Sequence, residues 1–354
     1  MSRMTVVLAV LLGTAACAES GTTGPAPTEE IARAGAPGRQ SLTLMTQNLY
    51  PGANLDLVIG ALASPDPADD LPALQLAIGT LRATDYPARA RRLAEAIDRE
   101  RPHVIGLQEV ATIDLSLDLG EPIGISLDFL AILQAALQSR GLHYAVAAVQ
   151  SNFVAAPLPG ISFADADVML VDADRVVVVE AGGHSFAANL GPVAPGVDLR
   201  RGWVGATLEI GGRRVAVATA HLESGSDPGL DGLRAIQATE LAGSLPSGLP
   251  AFVIGDLNDV PGSAMHAALA GAGLADLWPA LRPGVPGETC CHADALGDRV
   301  AAFDKRIDYV LHRPVGAALR GGRITLLGDQ PAERTSGGVW ISDHAGIVAT
   351  IADR

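Results

Sequence analysis

Six short apolar runs in this chain break off at an acid, an amide or an imidazole, and that repetition narrows the folds open to it more than any other feature. The sharpest is Ala251-Phe252-Val253-Ile254-Gly255-Asp256-Leu257-Asn258. A β-branched apolar run of this length reads as a buried strand. It stops at a glycine followed at once by an acid. Asp256 and Asn258 are two apart, so extended backbone would send both side chains to one side and toward one target. An ordinary strand exit uses Gly and Asn for turn geometry alone, and taken singly the run fits that plainer reading better. Its weight comes from its partners.

Ser41 to Tyr50 alternates into a strand that finishes at Asn48, ahead of Pro51-Gly52. Val104-Ile105-Gly106-Leu107-Gln108-Glu109-Val110 ends on a glutamate, which is rarely buried at such a place unless paired or bound to a cation. Arg201 to Ile210 and Arg213 to Ala220 flank Gly211-Gly212, a hairpin signal, and the second arm runs into His221-Leu222-Glu223-Ser224. Ile307-Asp308-Tyr309-Val310-Leu311 embeds an acid that must be paired or hydrogen-bonded. Ser342-Asp343-His344 precedes a last strand, 345–351.

Helical spacing marks 74–81, a stretch from Asp85 to about Arg99, 128–139, 228–245 and 265–272. Residues 115–127 are interrupted by Gly and Pro. A strand at 144–149 leads into a loop holding Asn152, and 165–171 with 175–179 read as a pair of strands. Asp167 could orient a catalytic group, although a solvated acid at a strand entrance is the commoner case. No internal repeat is evident.

With 354 residues, 48% of them hydrophobic and 18% charged, the chain can build one large core and is not a disordered polymer. The formal net charge is −14, and Lys305 is the single lysine. Such a surface disfavours non-specific grip on duplex nucleic acid, yet Arg200 and Arg201 or a bound divalent cation could hold one phosphate. Neither a G-x-S-x-G elbow nor a G-x-x-x-x-G-K-[ST] loop occurs, so serine-esterase and nucleoside-triphosphatase chemistry have no motif behind them.

Residues 1–17 read as an export signal: Arg3, the apolar stretch 4–12, the small Thr14-Ala15-Ala16, then Cys17 as a lipoprotein acceptor, with cleavage after Ala18 the alternative. Residues 18–40 form a flexible tether and 41–354 the folded domain. Cys290 and Cys291 are adjacent, so they form a strained disulfide or stay as thiols. With His292 they suggest zinc, but consecutive extended residues alternate between faces and cannot all reach one ion.

Asn48, Glu109, His221, Asp256 with Asn258, Asp308, and Asp343 with His344, in that order and at those strand ends, resemble the endonuclease/exonuclease/phosphatase superfamily with its deoxyribonuclease-I-like fold. The carrying motifs are Gln47-Asn48, Leu107-Gln108-Glu109, Thr219-Ala220-His221-Leu222, Gly255-Asp256-Leu257-Asn258, Ile307-Asp308-Tyr309-Val310 and Ser342-Asp343-His344. The resemblance implies an α+β, four-layer α/β/β/α sandwich of two mixed sheets. It also implies a phosphoesterase using Mg²⁺, or another divalent cation such as Mn²⁺ or Ca²⁺. Oxygen and imidazole donors without cysteine suit a hard, partly hydrated cation.

By the same resemblance His344, polarised by Asp308, acts as base or electrostatic partner of the phosphate. Glu109, Asn48 and Asp343 hold the metal, and Asp256 positions or deprotonates the attacking water. Asn258 and His221 donate to phosphoryl oxygens. Which of His344 and Asp256 handles the water is open. Asp172 stands where many members carry a basic residue, so Arg201 is the expected substitute, and the Cys290-Cys291 stretch lies outside the general pattern. Nucleic acid is the expected substrate on the resemblance, with a lipid or sphingolipid head group or a soluble phosphate ester as the alternatives, a non-catalytic binding protein as the competing reading and no protein partner inferred.

Overall fold

In the computed structural model the apolar runs become the strands of two mixed sheets packed face to face. The structure describes residues 41–352 except 65, 67, 121, 157–158, 195–196 and 317–320, so the export signal and tether lie outside the described residues. The first sheet starts with β1 (Ser41–Asn48), and the helices α1 (Leu55–Ala63), α2 (Asp70–Ala83) and α3 (Tyr86–Glu100) follow. Next come β2 (Val104–Gln108), the hairpin β3 (Thr112–Asp118) and β4 (Pro122–Asp128), α4 (Phe129–Gln138), β5 (Tyr144–Ala155) and β6 (Ile161–Asp172).

β7 (Val176–Ser185) opens the second sheet, and the short β8 (Gly191–Ala194) and β9 (Val197–Leu199) return to the first. The second then continues through β10 (Gly202–Ile210), β11 (Arg213–His221), α5 (Pro228–Ser244), β12 (Ala251–Asp256), α6 (Ala264–Gly271), β13 (Ala275–Asp276), α7 (Leu277–Leu281) and β14 (Asp308–Arg313). β15 (Gly321–Leu327) and β16 (Gly346–Ala352) close the first sheet. Its order is β15-β16-β1-β2-β6-β5-β9-β8, with β3 on β6 and β4 on β3; the second runs β13-β14-β12-β11-β10-β7.

Alternation along each strand makes the layers. In β1, Leu44 faces the second sheet, where it joins Val104, Val204, Phe252, Ile254, Val310 and Ile347 in the inter-sheet core. Met45 faces outward and packs with Ile105, Leu93, Ile97, Phe129 and Leu133 under α3 and α4. On the far side Ala218, Val253 and Leu311 meet Leu241, Met265 and Leu269 of α5 and α6. The result is the expected α/β/β/α sandwich of two mixed sheets. No described helix is long and apolar enough to cross a membrane.

Three local readings change. The stretch 115–127 lies in the β3–β4 hairpin, with Ile113 and Leu115 beside Leu55, Ile59, Leu74 and Ile78 of α1 and α2. β5 continues to Ala155 through two register shifts, which puts Asn152 on a strand instead of in a loop. α1 and β15 carry no signal strong enough for the sequence reading above to place them.

Candidate active site

Strand register assembles the polar ends. On the second sheet His221 pairs with Asp256 and Asp256 with Asp308, so three functional side chains stand abreast where β11, β12 and β14 meet. Asn48 pairs with Gln108 on the first sheet, which places Glu109 just beyond the edge of β2. Gly106 lets the two sheets close on each other here: a Cβ at that position would meet Thr219 Oγ1 at 2.3 Å. Across that gap Thr46 Oγ1 donates to Gln108 Oε1 (3.1 Å) and Gln108 Nε2 donates to Thr219 Oγ1 (2.8 Å). A buried polar relay therefore spans the sandwich directly beneath the site.

Asn48 Nδ2 donates to Glu109 Oε1 (2.9 Å) and to Asp256 Oδ2 (3.1 Å), joining the two sheets' acids through one amide. Asp256 Oδ2 lies 3.7 Å from His344 Nδ1, and that nitrogen is hydrogen-bonded to Asp308 Oδ2 at 2.9 Å. His221 Nε2 faces the same Asp256 oxygen at 3.6 Å. Asn48, His221, Asp256, Asp308 and His344 are buried, whereas Glu109, Asp343, Asn258 and Arg201 are partly accessible. The site is a floor of buried groups with two acids, an amide and a guanidinium at its mouth.

The electrostatics follow from this crowding. Burial, together with the charges of Asp343 and Asp165, pushes the Glu109 carboxyl up to about 8. Burial also raises Asp256 to about 6, with His344 opposing and Asp308 reinforcing the shift. Burial alone would neutralise His344, but the carboxylates of Asp308, Asp256 and Asp343 hold it protonated, well above the ordinary imidazole range. His221 goes the other way, because burial and the positive charges of Arg201 and His344 keep it neutral. Arg201 Nη1 lies 2.9 Å from His221 Nδ1, and a guanidinium can only donate, so His221 carries its proton on Nε2.

Asn258 departs from the shared-target geometry. The strand ends at Asp256, and Asn258 sits in the left-handed region at φ 53°. Its backbone N donates to Asp256 Oδ1 (3.0 Å) and its Nδ2 spends one hydrogen on Leu222 O (3.0 Å), leaving one free. Arg201 is likewise engaged, donating to Glu223 Oε1 (3.4 Å) and Ser224 Oγ (3.2 Å). Asp172 pairs with Arg175 at 2.7 Å.

Several contributors lay beyond the sequence reading. Arg89 of α3 is wholly buried and donates to the carbonyls of Thr84 (3.0 Å), Leu49 (2.6 Å), Tyr50 (3.0 Å) and Ile341 (3.1 Å). It thus ties the turn after Asn48 to the segment before Asp343 and His344. Gln47 Nε2 adds a bond to His344 O (3.2 Å), and Thr289 Oγ1 accepts from the backbone N of Asp308 (3.2 Å). Asp165 and Asp167 are buried below Arg201, both carboxyls raised chiefly by burial, so Asp167 is no solvated entrance acid. The pairing Thr289–Cys290 with the strand around Asp308 had no signal beyond an odd Cys-Cys dipeptide. His292 turns away from the two cysteines to stack on Trp340, ring centroids 4.3 Å apart, which rules out the Cys-Cys-His292 zinc arrangement.

The sequence pattern of the Endonuclease/Exonuclease/phosphatase family matches residues 78–344. The chain belongs to this family. Among solved structures it is similar to the endonuclease/exonuclease/phosphatase from Beutenbergia cavernae (22% identity, 89% of this chain and 72% of that one, TM-score 0.56). It is similar also to D. rerio TDP2 complexed with a single-strand DNA product (17%, 88% and 98%, 0.53) and to the human Nocturnin catalytic domain with bound sulfate (16%, 88% and 97%, 0.54). At these identities the likeness is one of fold. Comparison with the curated proteins returns no match.

Within this endonuclease/exonuclease/phosphatase family member, Asp256, Asp308 and His344 bring their ligand atoms within 4.8 Å of one another, close enough to hold a divalent ion. Family and site together make the chain a metal-dependent hydrolase of phosphoester bonds. The donors fit such a cation: all are oxygen or imidazole, and Glu109, raised first by burial and then by the charges of Asp343 and Asp165, has a second acid beside it.

Proposed function

We propose that this enzyme hydrolyses phosphodiesters by in-line attack of water, with a short or single-stranded nucleic acid as substrate. The observation that carries the reading is the unbroken contact path Glu109–Asn48–Asp256–His344–Asp308 along the floor of one cleft. The single-strand DNA product held by D. rerio TDP2 favours nucleic acid, and the net charge of −14 favours small or flexible substrates over duplex.

Glu109 and Asp343 at the mouth, with Asn48 between the acids, are the residues that would hold the cation. The Asp308–His344 pair is a poorer ligand set, because Nδ1 is already engaged with Asp308 at 2.9 Å and the surrounding carboxylates favour the charged imidazole. When bound, the cation supplies charge neutralisation at the phosphoryl oxygens. Asp256, fixed by the amides of Asn48 and Asn258, orients the water and accepts its proton. His344, kept cationic by Asp308, stabilises the developing charge and can protonate the leaving oxygen. His221 Nε2–H and the free amide hydrogen of Asn258 donate to non-bridging oxygens. Arg201 serves as a positioning residue, locking the His221 tautomer.

The test is a panel of a bis(aryl) phosphodiester, single-stranded DNA, plasmid, RNA, sphingomyelin and inositol phosphates, each with Mg²⁺ and with chelator. The reading expects chelator-sensitive cleavage of the aryl diester and of single strands. A folded protein inert on every phosphoester refutes it, and turnover of the lipid alone reassigns the substrate. Export and lipidation at Cys17 belong to the same proposal, and the mass of the mature N-terminal peptide from a membrane fraction decides them.

A further inference from the structure

Cys290 and Cys291 sit against the catalytic floor on a segment that bridges to both Lys305 and His344. Cys291 Sγ lies 4.0 Å from His344 Nε2, and the ligand atoms of Cys290, Cys291 and His344 all fall within 4.8 Å of one another. The ring's other nitrogen is committed to Asp308 at 2.9 Å, so Nε2 is the one left to face sulfur. Backbone bonds hold the cysteines in place: Cys290 N donates to Lys305 O (3.1 Å), Asp304 N to Cys290 O (3.0 Å), and His292 N to Asp343 O (2.8 Å). Cys290 is buried and Cys291 is accessible from solvent. The two sulfurs are joined as a disulfide.

We propose that reduction of this disulfide opens a second metal site, made of both thiolates and His344 Nε2, that takes a thiophilic divalent cation such as Zn²⁺ or Cd²⁺ and shuts off hydrolysis. A dithiol reductant gives the disulfide two electrons and two protons, leaving two thiols and its own cyclic disulfide. The cation then displaces both thiol protons and any proton on Nε2. A set of two sulfurs and one imidazole selects zinc or cadmium over magnesium, and water completes the tetrahedron. A metal-bound histidine ordinarily donates its other N–H to a carboxylate, and the His344–Asp308 contact already supplies that. This site shares no protein donor with Glu109, Asn48 or Asp343. The binding half rests on where the fold places both cysteines beside His344 in the disulfide form, whereas the shut-off half rests on the role proposed above for His344.

The experiment uses the full chain carrying Cys17→Ser, which leaves Cys290 and Cys291 as the only cysteines. One portion is reduced with a dithiol and desalted without oxygen, and the other keeps its disulfide. Cd²⁺ is titrated into each while the thiolate-to-metal absorption band is recorded. Mg²⁺-dependent hydrolysis of a bis(aryl) phosphodiester is then followed with and without Zn²⁺. The reduced protein is expected to bind one Cd²⁺ with a thiolate band and to lose most of its turnover to stoichiometric Zn²⁺, recovering it with a zinc chelator. The disulfide form shows neither effect, and adding Cys290→Ser and Cys291→Ser to the reduced chain abolishes both. Absence of the band in the reduced chain overturns the site. Equal zinc inhibition in all forms overturns the shut-off by placing it at the magnesium position. A band without inhibition also overturns the shut-off and counts against the His344 role. The comparison of oxidised and reduced protein needs no substitution at either cysteine, so it holds even if the serine variants fail to fold.

Discussion

Asn48 is where the contributions of the two sheets meet, since one amide group spans Glu109 on one side and Asp256 on the other. Its neighbour Glu109 is raised to about 8 by burial and by the charges of Asp343 and Asp165, and is the proposed metal ligand. Replacing it by Gln is expected to abolish Mg²⁺ binding in calorimetry and to lower turnover by about 10²-fold or more. The same variant should be the more stable protein in chelator. A carboxyl raised from 4.5 to about 8 on folding binds protons more tightly in the native state, so wild-type stability falls as pH rises through that interval. Thermal melts of Glu109→Gln in chelator should lack that fall; identical pH slopes for the two proteins would refute the shift. Asp308→Asn removes the nearest carboxylate holding the His344 proton. Turnover is expected to drop by about 10²-fold or more, with the alkaline limb of the pH–rate profile moving to lower pH as the imidazolium is lost earlier. An unmoved limb would deny the pairing.

At the scale of elements, the strand ends were legible because apolar runs halt abruptly at a group that burial punishes, as Asp256 at the end of Ala251–Asp256 illustrates. The helices with clear spacing were legible too: Asp85 opens its helix by accepting from Ala88 N, and Asp128, read as the first helical residue, is the cap that accepts from Ala131 N. β3 and β4 were not, because the glycines and Pro122 masked a period-two alternation whose polar face is solvated. Arg89 was invisible for another reason. In sequence it is one of several arginines on a helix, and only distant carbonyls give it a buried role, so nothing local could distinguish it from Arg91 or Arg92. Burial lowers its pKa to about 10, and removing it strands four carbonyls. Arg89→Ala is expected to cost about 3 kcal/mol or more in denaturant unfolding, each unmade buried bond counting roughly 1–3 kcal/mol. Gly106→Ala tests the sheet contact in the same assay. Its methyl would collide with Thr219, and a loss of about 1–3 kcal/mol is expected, partly recovered by Thr219→Gly. Additive effects would show that the two positions do not touch.

For the molecule as a whole, a net charge of −14 opposes the approach of a negatively charged phosphoester. Added salt should therefore lower KM for single-stranded DNA, the reverse of the behaviour of a basic nuclease, and leave KM for a singly charged aryl diester nearly unchanged. A KM for DNA that climbs with salt would mean that a local basic patch outweighs the global field. The pairing of β1 with β16 has a further consequence for when activity can begin. Asn48 closes the earliest strand, whereas His344 enters just before the latest, and the inner position of β1 stays half open until Gly346–Ala352 arrives to cover it. The two halves of the site therefore come together only when strands about three hundred positions apart have paired, so a fragment lacking Gly346–Ala352 has its acids but no seated imidazole.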